Sequence, residues 1–95
     1  MGALLVFRDK KIKQGLIIEM VVWALDAPLS GCSHRFKYRL FCGNLETGVS
    51  LVRYDNERGK GDHRHVADRE QPYTFTGLEG LFADFEKDVR EALIQ

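Results

Sequence analysis

The chain has 95 residues, of which 44% are hydrophobic and 29% are charged. This length suits one domain and leaves no room for a second. The 14 basic and 14 acidic side chains cancel, which excludes a uniformly basic protein that coats nucleic acid through its net charge alone.

Four strands are predicted in the N-terminal part of the chain. Residues 4–8 are short and apolar and precede three charged residues, which is typical of an edge strand. Residues 16–25 are apolar at nearly every position, which favours a central strand or one covered on both faces, although a helix is also compatible with this run. Residues 34–42 alternate between apolar and cationic side chains, and residues 49–55 follow at hairpin distance. We therefore expect an antiparallel meander.

The rest of the chain predicts a long loop and a helix. Between residues 56 and 75 the apolar pattern disappears and Gly59 and Gly61 appear, which indicates a functional loop. Residues 77–94 are predicted to form a helix with one apolar stripe, made of Leu78, Leu81, Phe82, Phe85, Val89 and Leu93. The predicted fold class is α+β, one domain in which an antiparallel sheet of four or more strands within residues 4–55 carries the C-terminal helix on one face.

The cysteines and the N-terminus predict the compartment. Cys32 and Cys42 would lie roughly 30 Å apart at the two ends of an extended strand, whereas a disulfide needs Cα atoms within about 7 Å. Reduced thiols favour the cytoplasm. No apolar run reaches the roughly 20 residues of a transmembrane helix, and the N-terminal charges follow the apolar stretch rather than precede it as in a signal peptide. We therefore expect a cytoplasmic protein without membrane contact.

Charge is unevenly distributed along the chain. Residues 1–45 carry seven Lys/Arg and three Asp/Glu, whereas residues 76–95 carry two and five. In the basic part, Arg35, Lys37 and Arg39 occupy alternate positions, so a strand would place them on one face. They are candidates for contacting RNA phosphates, and the alternative is an ordinary solvated face. The aromatic residues between them fall on the other side and are expected in the core.

The densest polar segment lies before the helix and suggests phosphodiester chemistry. It contains His63 and His65, which point the same way in an extended chain, and the cations Arg58, Lys60 and Arg64. One imidazole can take the 2′-hydroxyl proton of RNA, the other can protonate the leaving 5′-oxygen, and cations can stabilise the phosphorane. The segment therefore predicts an RNA endonuclease that needs neither metal nor cofactor, with Arg58 on the substrate phosphate and the other four residues in catalysis.

Four further residues complete the predicted site. Glu19 is the one acid within residues 16–25, and an ionised carboxylate among apolar side chains needs a partner. It either pairs with a cation of the next strand or serves as an active-site carboxylate, which is the role assigned to it here. Asp55 and Asp62 are candidates for orienting a histidine, and Tyr54 is a candidate for contacting RNA.

The same segment allows other interpretations. Its acids and bases could simply pair with one another in a solvated loop. His63 and His65 could chelate a metal ion, although the neighbouring cations would repel a divalent ion. A non-catalytic module could block RNA, the ribosome or a protein by occupying a site, and a nucleotide- or tRNA-modifying transferase is a third class, for which no cofactor motif is present. His34 and Cys42 are predicted to be structural.

Nearly the whole chain resembles the TumE family of small prokaryotic toxins. The segments that carry the resemblance are residues 34–40, 54–65 and 71–73, followed by the pair Asp84-Phe85. The resemblance implies a toxin of a two-gene type II toxin–antitoxin module, held inactive by a helix-turn-helix antitoxin. It also implies a ribonuclease that inhibits translation, with RNA as its substrate, and it is compatible with a ribosome contact and a homodimer.

Overall fold

The computed structural model describes residues 2–93 and contains, within them, six strands and one helix. In chain order these are β1 (Ala3–Lys13), β2 (Leu16–Leu25), β3 (Phe36–Asn44), β4 (Ser50–Glu57), β5 (Gly61–Val66), β6 (Arg69–Pro72) and α1 (Leu78–Leu93). The strands form one antiparallel sheet in the order of the chain. The predicted α+β class is confirmed, while the predicted helix end at residue 94 lies outside the described residues. No helix among residues 2–93 is long and apolar enough to cross a membrane.

β2 is a central strand whose two faces differ. Leu16, Ile18, Met20 and Val22 are buried, whereas the residues between them are only partly buried. A period of two is the signature of a strand, so the helical alternative for this run is wrong. β2 lies between β1 and β3, and its buried side chains belong to the same apolar cluster as α1.

α1 packs on one side of the sheet, which we call the helix face. Its buried side chains are Leu81, Phe85 and Val89, the centre of the stripe predicted from the sequence. They form one apolar cluster with the buried residues of β2, β3 and β4, among them Tyr38, Leu40, Val52 and Tyr54. Because full burial of such a side chain stabilises a fold by about 1.5–3 kcal/mol, this layer is the hydrophobic core.

The other side of the sheet, which we call the open face, carries no helix within residues 2–93. Alternate side chains of a strand point to opposite faces. The strand registers therefore place a mostly polar and aromatic set on the open face, namely Glu19, Val21, Trp23, Lys37, Arg39, Phe41, Arg53, Asp55, His63 and His65. Several of the candidate functional residues thus share one surface.

The predicted loop between residues 56 and 75 is wrong. β4 continues to Glu57, and β5 and β6 follow as a second hairpin. The apolar alternation disappears here because β5 has polar side chains on both faces, His63 and His65 on one and Asp62 and Arg64 on the other. These side chains form ion pairs and hydrogen bonds instead of apolar contacts, so hydrophobic periodicity could not reveal the strand.

The turn between β4 and β5 packs against the segment that precedes β3. The N–H of Gly59 donates to the carbonyl of Ser30 over 2.6 Å. A Cβ atom on Gly61, whose φ is +80°, would lie 2.8 Å from the carbonyl oxygen of Gly31. Glycine is therefore required at position 61 for a close approach of two backbone segments. This contact fixes the start of β5, and with it the position of His63.

Candidate active site

His63 and His65 lie side by side on the open face of β5. Their ring centroids are 5.6 Å apart and the ring planes meet at 70°. The predicted common orientation of the two rings is confirmed, because residues two apart on a strand point to the same face. We call the polar residues that contact these rings or each other the histidine cluster, which consists of Arg53, Asp55, Glu57, Lys60, His63, His65 and Glu70.

His63 is 3% exposed and has a defined environment on both ring nitrogens. Its Nδ1 atom lies 3.2 Å from the carbonyl oxygen of Gly61, and a carbonyl only accepts, so Nδ1 carries the proton. Nε2 lies 2.6 Å from Oδ1 of Asp55, 3.6 Å from Oε2 of Glu70 and 3.8 Å from Oε1 of Glu57. Because all three neighbours are acceptors, Nε2 needs a proton or another cation. Asp55 thus lies where it can orient a histidine.

His65 is the more accessible of the two rings, with 24% of its side chain exposed. Nη2 of Arg53, which only donates, lies 2.8 Å from Nε2 of His65. The same nitrogen lies 3.0 Å from Oε2 of Glu70. Nε of Arg53 also lies 3.4 Å from Oδ2 of Asp55. Arg53 was not among the predicted site residues, although the alternation that puts Asp55 on the histidine side puts Arg53 there as well.

Lys60 reaches the histidines through Glu70. Its Nζ atom lies 2.6 Å from Oε2 of Glu70. This hydrogen bond holds the pKa of the Glu70 carboxyl below its ordinary value and raises the pKa of Lys60. Glu70 was not predicted because β6 carries no apolar alternation. A pocket of about 290 Å³ opens beside this pair and is lined by Lys60, Asp62, His63, Glu70, Gln71 and Pro72.

Arg64 and Tyr54 do not belong to the histidine cluster. Both lie on the helix face, where Nη1 of Arg64 donates to the hydroxyl of Tyr54 over 2.9 Å and lies 3.3 Å from Oδ2 of Asp88 in α1. The sheet separates these groups from His63 and His65. The prediction that Arg64 acts on the same phosphate as the histidines is corrected accordingly, and so is the predicted RNA contact of Tyr54 beside them.

Asp62 orients a histidine, but not one of the cluster. Its Oδ1 accepts from the hydroxyl of Tyr38 over 2.6 Å and lies 2.8 Å from Nε2 of His34. Nδ1 of His34 accepts from the backbone N–H of Phe36 over 3.1 Å, so the proton of His34 is on Nε2. Phe75 stacks on the same ring with centroids 3.8 Å apart. The contacts of His34 are those of a structural residue of the helix face.

Glu19 is on the open face but far from the histidines. Glu19 lies opposite Phe41, Phe41 lies opposite Arg53, and Arg53 lies opposite His65 on successive strands. Three strand spacings correspond to about 14 Å. Glu19 therefore cannot contact His65, and its predicted catalytic role is not compatible with this geometry. Its neighbour across β1 is Lys10, while Lys37 lies opposite Trp23.

The cations predicted to contact RNA phosphates, Arg35, Lys37 and Arg39, lie on or next to β3, which pairs with β4 beside the histidine cluster. Lys37 donates to the backbone carbonyl of Asn56, and Arg39 lies opposite Asp55 in the register of β3 and β4. The guanidinium of Arg39 is 5.2 Å from the ring centroid of Phe41 on the same face. Arg35 precedes β3, and Arg58 is exposed in the turn between β4 and β5.

Two aromatic residues of the open face were missed by sequence analysis. Trp23 and Phe41 are partly exposed on the side that carries the cations. The expectation that aromatics lie opposite the cations holds for Phe36 and Tyr38, which pack on or within the core. The alternation of β3 contained the signal for Phe41, because it is two residues from Arg39.

Comparison with known proteins gives one match. No curated protein and no solved structure matches the chain. The family model described as Toxin TumE matches residues 4–93. This range covers α1 and all six strands, except for the first residue of β1. The chain belongs to the TumE toxin family.

Proposed function

We propose that this toxin is an RNA endonuclease that inhibits translation and that the histidine cluster is its active site. The observation that carries the proposal is the pair of imidazole rings 5.6 Å apart on the open face, in contact with both cations and carboxylates. The pocket beside His63, of about 290 Å³, is near the lower end of the range typical of small-molecule sites. It is therefore suited to a phosphate group with part of one nucleotide.

The surroundings of the two rings support distinct roles. His65 is the more accessible ring and its Nε2 contacts the guanidinium of Arg53, which suits a base that takes the 2′-hydroxyl proton. Nε2 of His63 faces the carboxylate of Asp55, which suits an acid. The 2′-oxygen forms a bond to phosphorus, the bond from phosphorus to the 5′-oxygen breaks, and His63 protonates that oxygen. The products are a 2′,3′-cyclic phosphate and a free 5′-hydroxyl, and no metal takes part.

Arg53 and Lys60 would hold the scissile phosphate. Both cations now contact groups of the cluster, Arg53 the ring of His65 and Lys60 the carboxylate of Glu70. A phosphate that pairs with Lys60 releases Glu70, whose side chain is 38% exposed and can turn into solvent. Because Glu70 is one of the acids that cover Nε2 of His63, its departure exposes the proposed acid to the substrate.

The remainder of the open face supports single-stranded RNA as the substrate. Lys37 and Arg39 supply cations, and Trp23 and Phe41 supply flat surfaces on the same side of the sheet. Cations interleaved with aromatic rings bind single strands through phosphate contacts and base stacking. We propose that the strand crosses β2 and β3 and reaches the histidine cluster on β5, with Arg35 and Arg58 at its margins.

Membership of a toxin family implies an antitoxin partner, and we propose a helix-turn-helix antitoxin of a type II module. An acidic antitoxin surface would cover the cations of the open face, since complementary charge speeds association. The acids of α1 are less suited to a partner, because Asp84 accepts from Tyr73 and Asp88 accepts from Tyr54 within the fold.

A second candidate function is inhibition by binding without cleavage. The observation that favours it is the burial of His63 among carboxylates, because such a ring can serve an ion-pair network that only stabilises the sheet. The cations and aromatic rings of the open face would then be sufficient to block an RNA or the ribosome.

Turnover separates the two functions. RNA is incubated with a small molar fraction of the toxin, and the ends of the products are analysed. The proposal predicts many cleavage events per toxin molecule, with cyclic phosphate and 5′-hydroxyl ends. His65→Ala should reduce cleavage by about 10²–10⁴-fold while RNA binding through the rest of the open face is kept. Inhibition that requires one toxin per RNA and leaves the RNA intact would establish the binding function instead.

A further inference from the structure

We propose that the histidine cluster is also a binding site for a divalent transition-metal ion of the zinc class. The ligands are Nε2 of His63, Nε2 of His65 and a carboxylate oxygen of Glu70. The three residues come from β5 and β6, and the hairpin holds them on one side of the sheet. Imidazole with carboxylate is a donor set that suits zinc, cobalt or nickel, whereas magnesium and calcium prefer oxygen ligands alone.

The separations of the donor atoms fit one ion. Oε2 of Glu70 lies 3.0 Å from Nε2 of His65 and 3.6 Å from Nε2 of His63. One donor atom from each of the three residues lies within 4.8 Å of the others. Zinc bonds to nitrogen and oxygen of about 2.0–2.2 Å in a tetrahedron place the ligand atoms about 3.4 Å apart. The two distances from Glu70 to the histidine nitrogens differ from this value by well under 1 Å. Small side-chain shifts would therefore be enough to place an ion between Glu70 and each histidine.

The second observation is a buried ring nitrogen that faces the site and makes no aligned hydrogen bond. His63 is only 3% exposed and is therefore almost fully buried. Within the described part of the chain neither its Nε2 nor Oδ1 of Asp55 has an aligned hydrogen-bond partner, although the two atoms are 2.6 Å apart. The other ring nitrogen faces the carbonyl of Gly61, which is how metal-binding histidines are usually oriented. A cation at Nε2 would satisfy the buried nitrogen and the acids around it.

The charge of the cluster permits a divalent ion. Asp55, Glu57 and Glu70 supply three negative charges against the positive charges of Arg53 and Lys60. The side chain of Lys60 is 50% exposed and can leave Glu70 for solvent when an ion arrives. Arg53 would turn from His65 towards Asp55, to which it is already close. Movement of Lys60 and Arg53 away from the ion would thus reduce the repulsion expected from these cations.

The described chain holds two other groups of potential ligands. Asp55, Glu57 and His63 overlap with the proposed site, whereas Cys32, His34 and Asp62 lie apart from it and form a poorer site. Both ring nitrogens of His34 have partners, and Asp62 is engaged by His34 and Tyr38. The thiol of Cys32 accepts from Asn56 over 3.7 Å, and burial raises its pKa, whereas a metal-binding thiol must lose its proton. The group of Cys32, His34 and Asp62 therefore serves as a control for where on the protein the ion binds.

Metal binding has a consequence that rests on the proposed function. An ion on both Nε2 atoms would occupy the positions that accept and deliver protons, so zinc should inhibit RNA cleavage. Binding itself does not depend on that function and is measured separately.

The test is a titration of the untagged full-length chain with Zn²⁺ by calorimetry and with Co²⁺ by visible absorption. The proposal predicts one ion per chain and a Co²⁺ spectrum without a thiolate-to-metal charge-transfer band. His65→Ala and Glu70→Gln should each weaken binding by at least about 10-fold, Lys60→Met should strengthen it, and Cys32→Ser should leave it unchanged. Thermal unfolding without metal checks that each variant is folded.

Other results of the titration would contradict the metal site. Absence of saturable binding, or affinity that both cluster variants leave unchanged, would overturn the site. A thiolate band that Cys32→Ser removes would place the ion on the helix face and would also overturn it. If Zn²⁺ binds with the predicted dependence but the toxin cleaves no RNA, the metal site stands and the proposed nuclease falls.

Discussion

Oδ1 of Asp55 lies 2.6 Å from Nε2 of His63, on opposite strands of one hairpin. The pairing of β4 with β5 brings the two residues together, because Asp55 and His63 are direct cross-strand partners. Each is nearly inaccessible to solvent. The contact lies on the ring nitrogen of the proposed acid and fixes the orientation of that ring, while His65 is the more accessible of the two histidines.

This contact predicts that Asp55→Asn slows RNA cleavage. An amide cannot balance a positive charge on the imidazole, so we expect the single-turnover rate constant to fall by at least about 10-fold, which is less than the roughly 10²–10⁴-fold that a general acid or base itself contributes. The matched control is Asp68→Asn, an exposed acid between β5 and β6, which should retain the wild-type rate. Equal rates for the wild type and Asp55→Asn would remove Asp55 from the mechanism.

The cations of β3 predict a change in salt dependence. Lys37→Gln and Arg39→Gln should each weaken RNA binding and reduce the slope of log affinity against log salt by about 0.7, the value for one phosphate contact on a single strand. Fluorescence anisotropy with labelled RNA at several salt concentrations measures both quantities. Lys87→Gln, an exposed cation of α1, is the control. A slope unchanged in both β3 variants would exclude the proposed RNA path.

Asn56 is predicted to stabilise the pairing of β3 with β4 through its side chain. It is fully buried, its Oδ1 accepts from the N–H of Tyr38 over 3.0 Å, and its Nδ2 donates to the carbonyl of Phe36 over 2.7 Å. Asn56→Ala leaves both backbone groups without these partners, at a cost of about 1–3 kcal/mol for each buried group. Urea unfolding should show this loss. Asn44→Ala, which removes two exposed turn hydrogen bonds, should cost less because water replaces them; the reverse order would contradict this role.

The three tyrosines predict a response to alkaline pH. Burial, together with a hydrogen bond to a carboxylate, raises the pKa of each phenol above its ordinary value. The phenols ionise near pH 10 when the chain is unfolded, so the unfolded state loses protons first. The stability that they contribute is present below about pH 10 and falls as the pH rises above it. Tyrosinate absorbance should therefore appear only together with unfolding measured by circular dichroism. Ionisation of the tyrosines while the protein is still folded would refute this prediction.

The parts of the fold that follow local patterns were predictable. The stripe of α1 and the alternation of β3 arise from neighbouring residues that bury one side, and both elements are present at nearly the predicted positions. The common direction of His63 and His65 also follows from spacing alone. β6 has four exposed residues, so no apolar pattern could indicate it.

The partners within the site were not predictable in the same way. Alternation along the strand places Arg64 on the face opposite His63, but its contact with Asp88, 24 residues away in the chain, does not follow from spacing. Glu70 joins the histidines because a second hairpin folds it back, and Asp62 binds His34 from 28 positions away. Such contacts depend on strand pairing and on the placement of α1, which local periodicity does not determine.

The central claim is that cleavage depends on the histidines of the open face and not on the histidine of the helix face. The direct measurement is the single-turnover rate of RNA cleavage by the wild type, His65→Ala and His34→Gln, each shown to be folded by its thermal unfolding. The account predicts a loss of about 10²–10⁴-fold for His65→Ala and a rate within a few fold of the wild type for His34→Gln. Undiminished cleavage by His65→Ala, or a loss confined to His34→Gln, would contradict it.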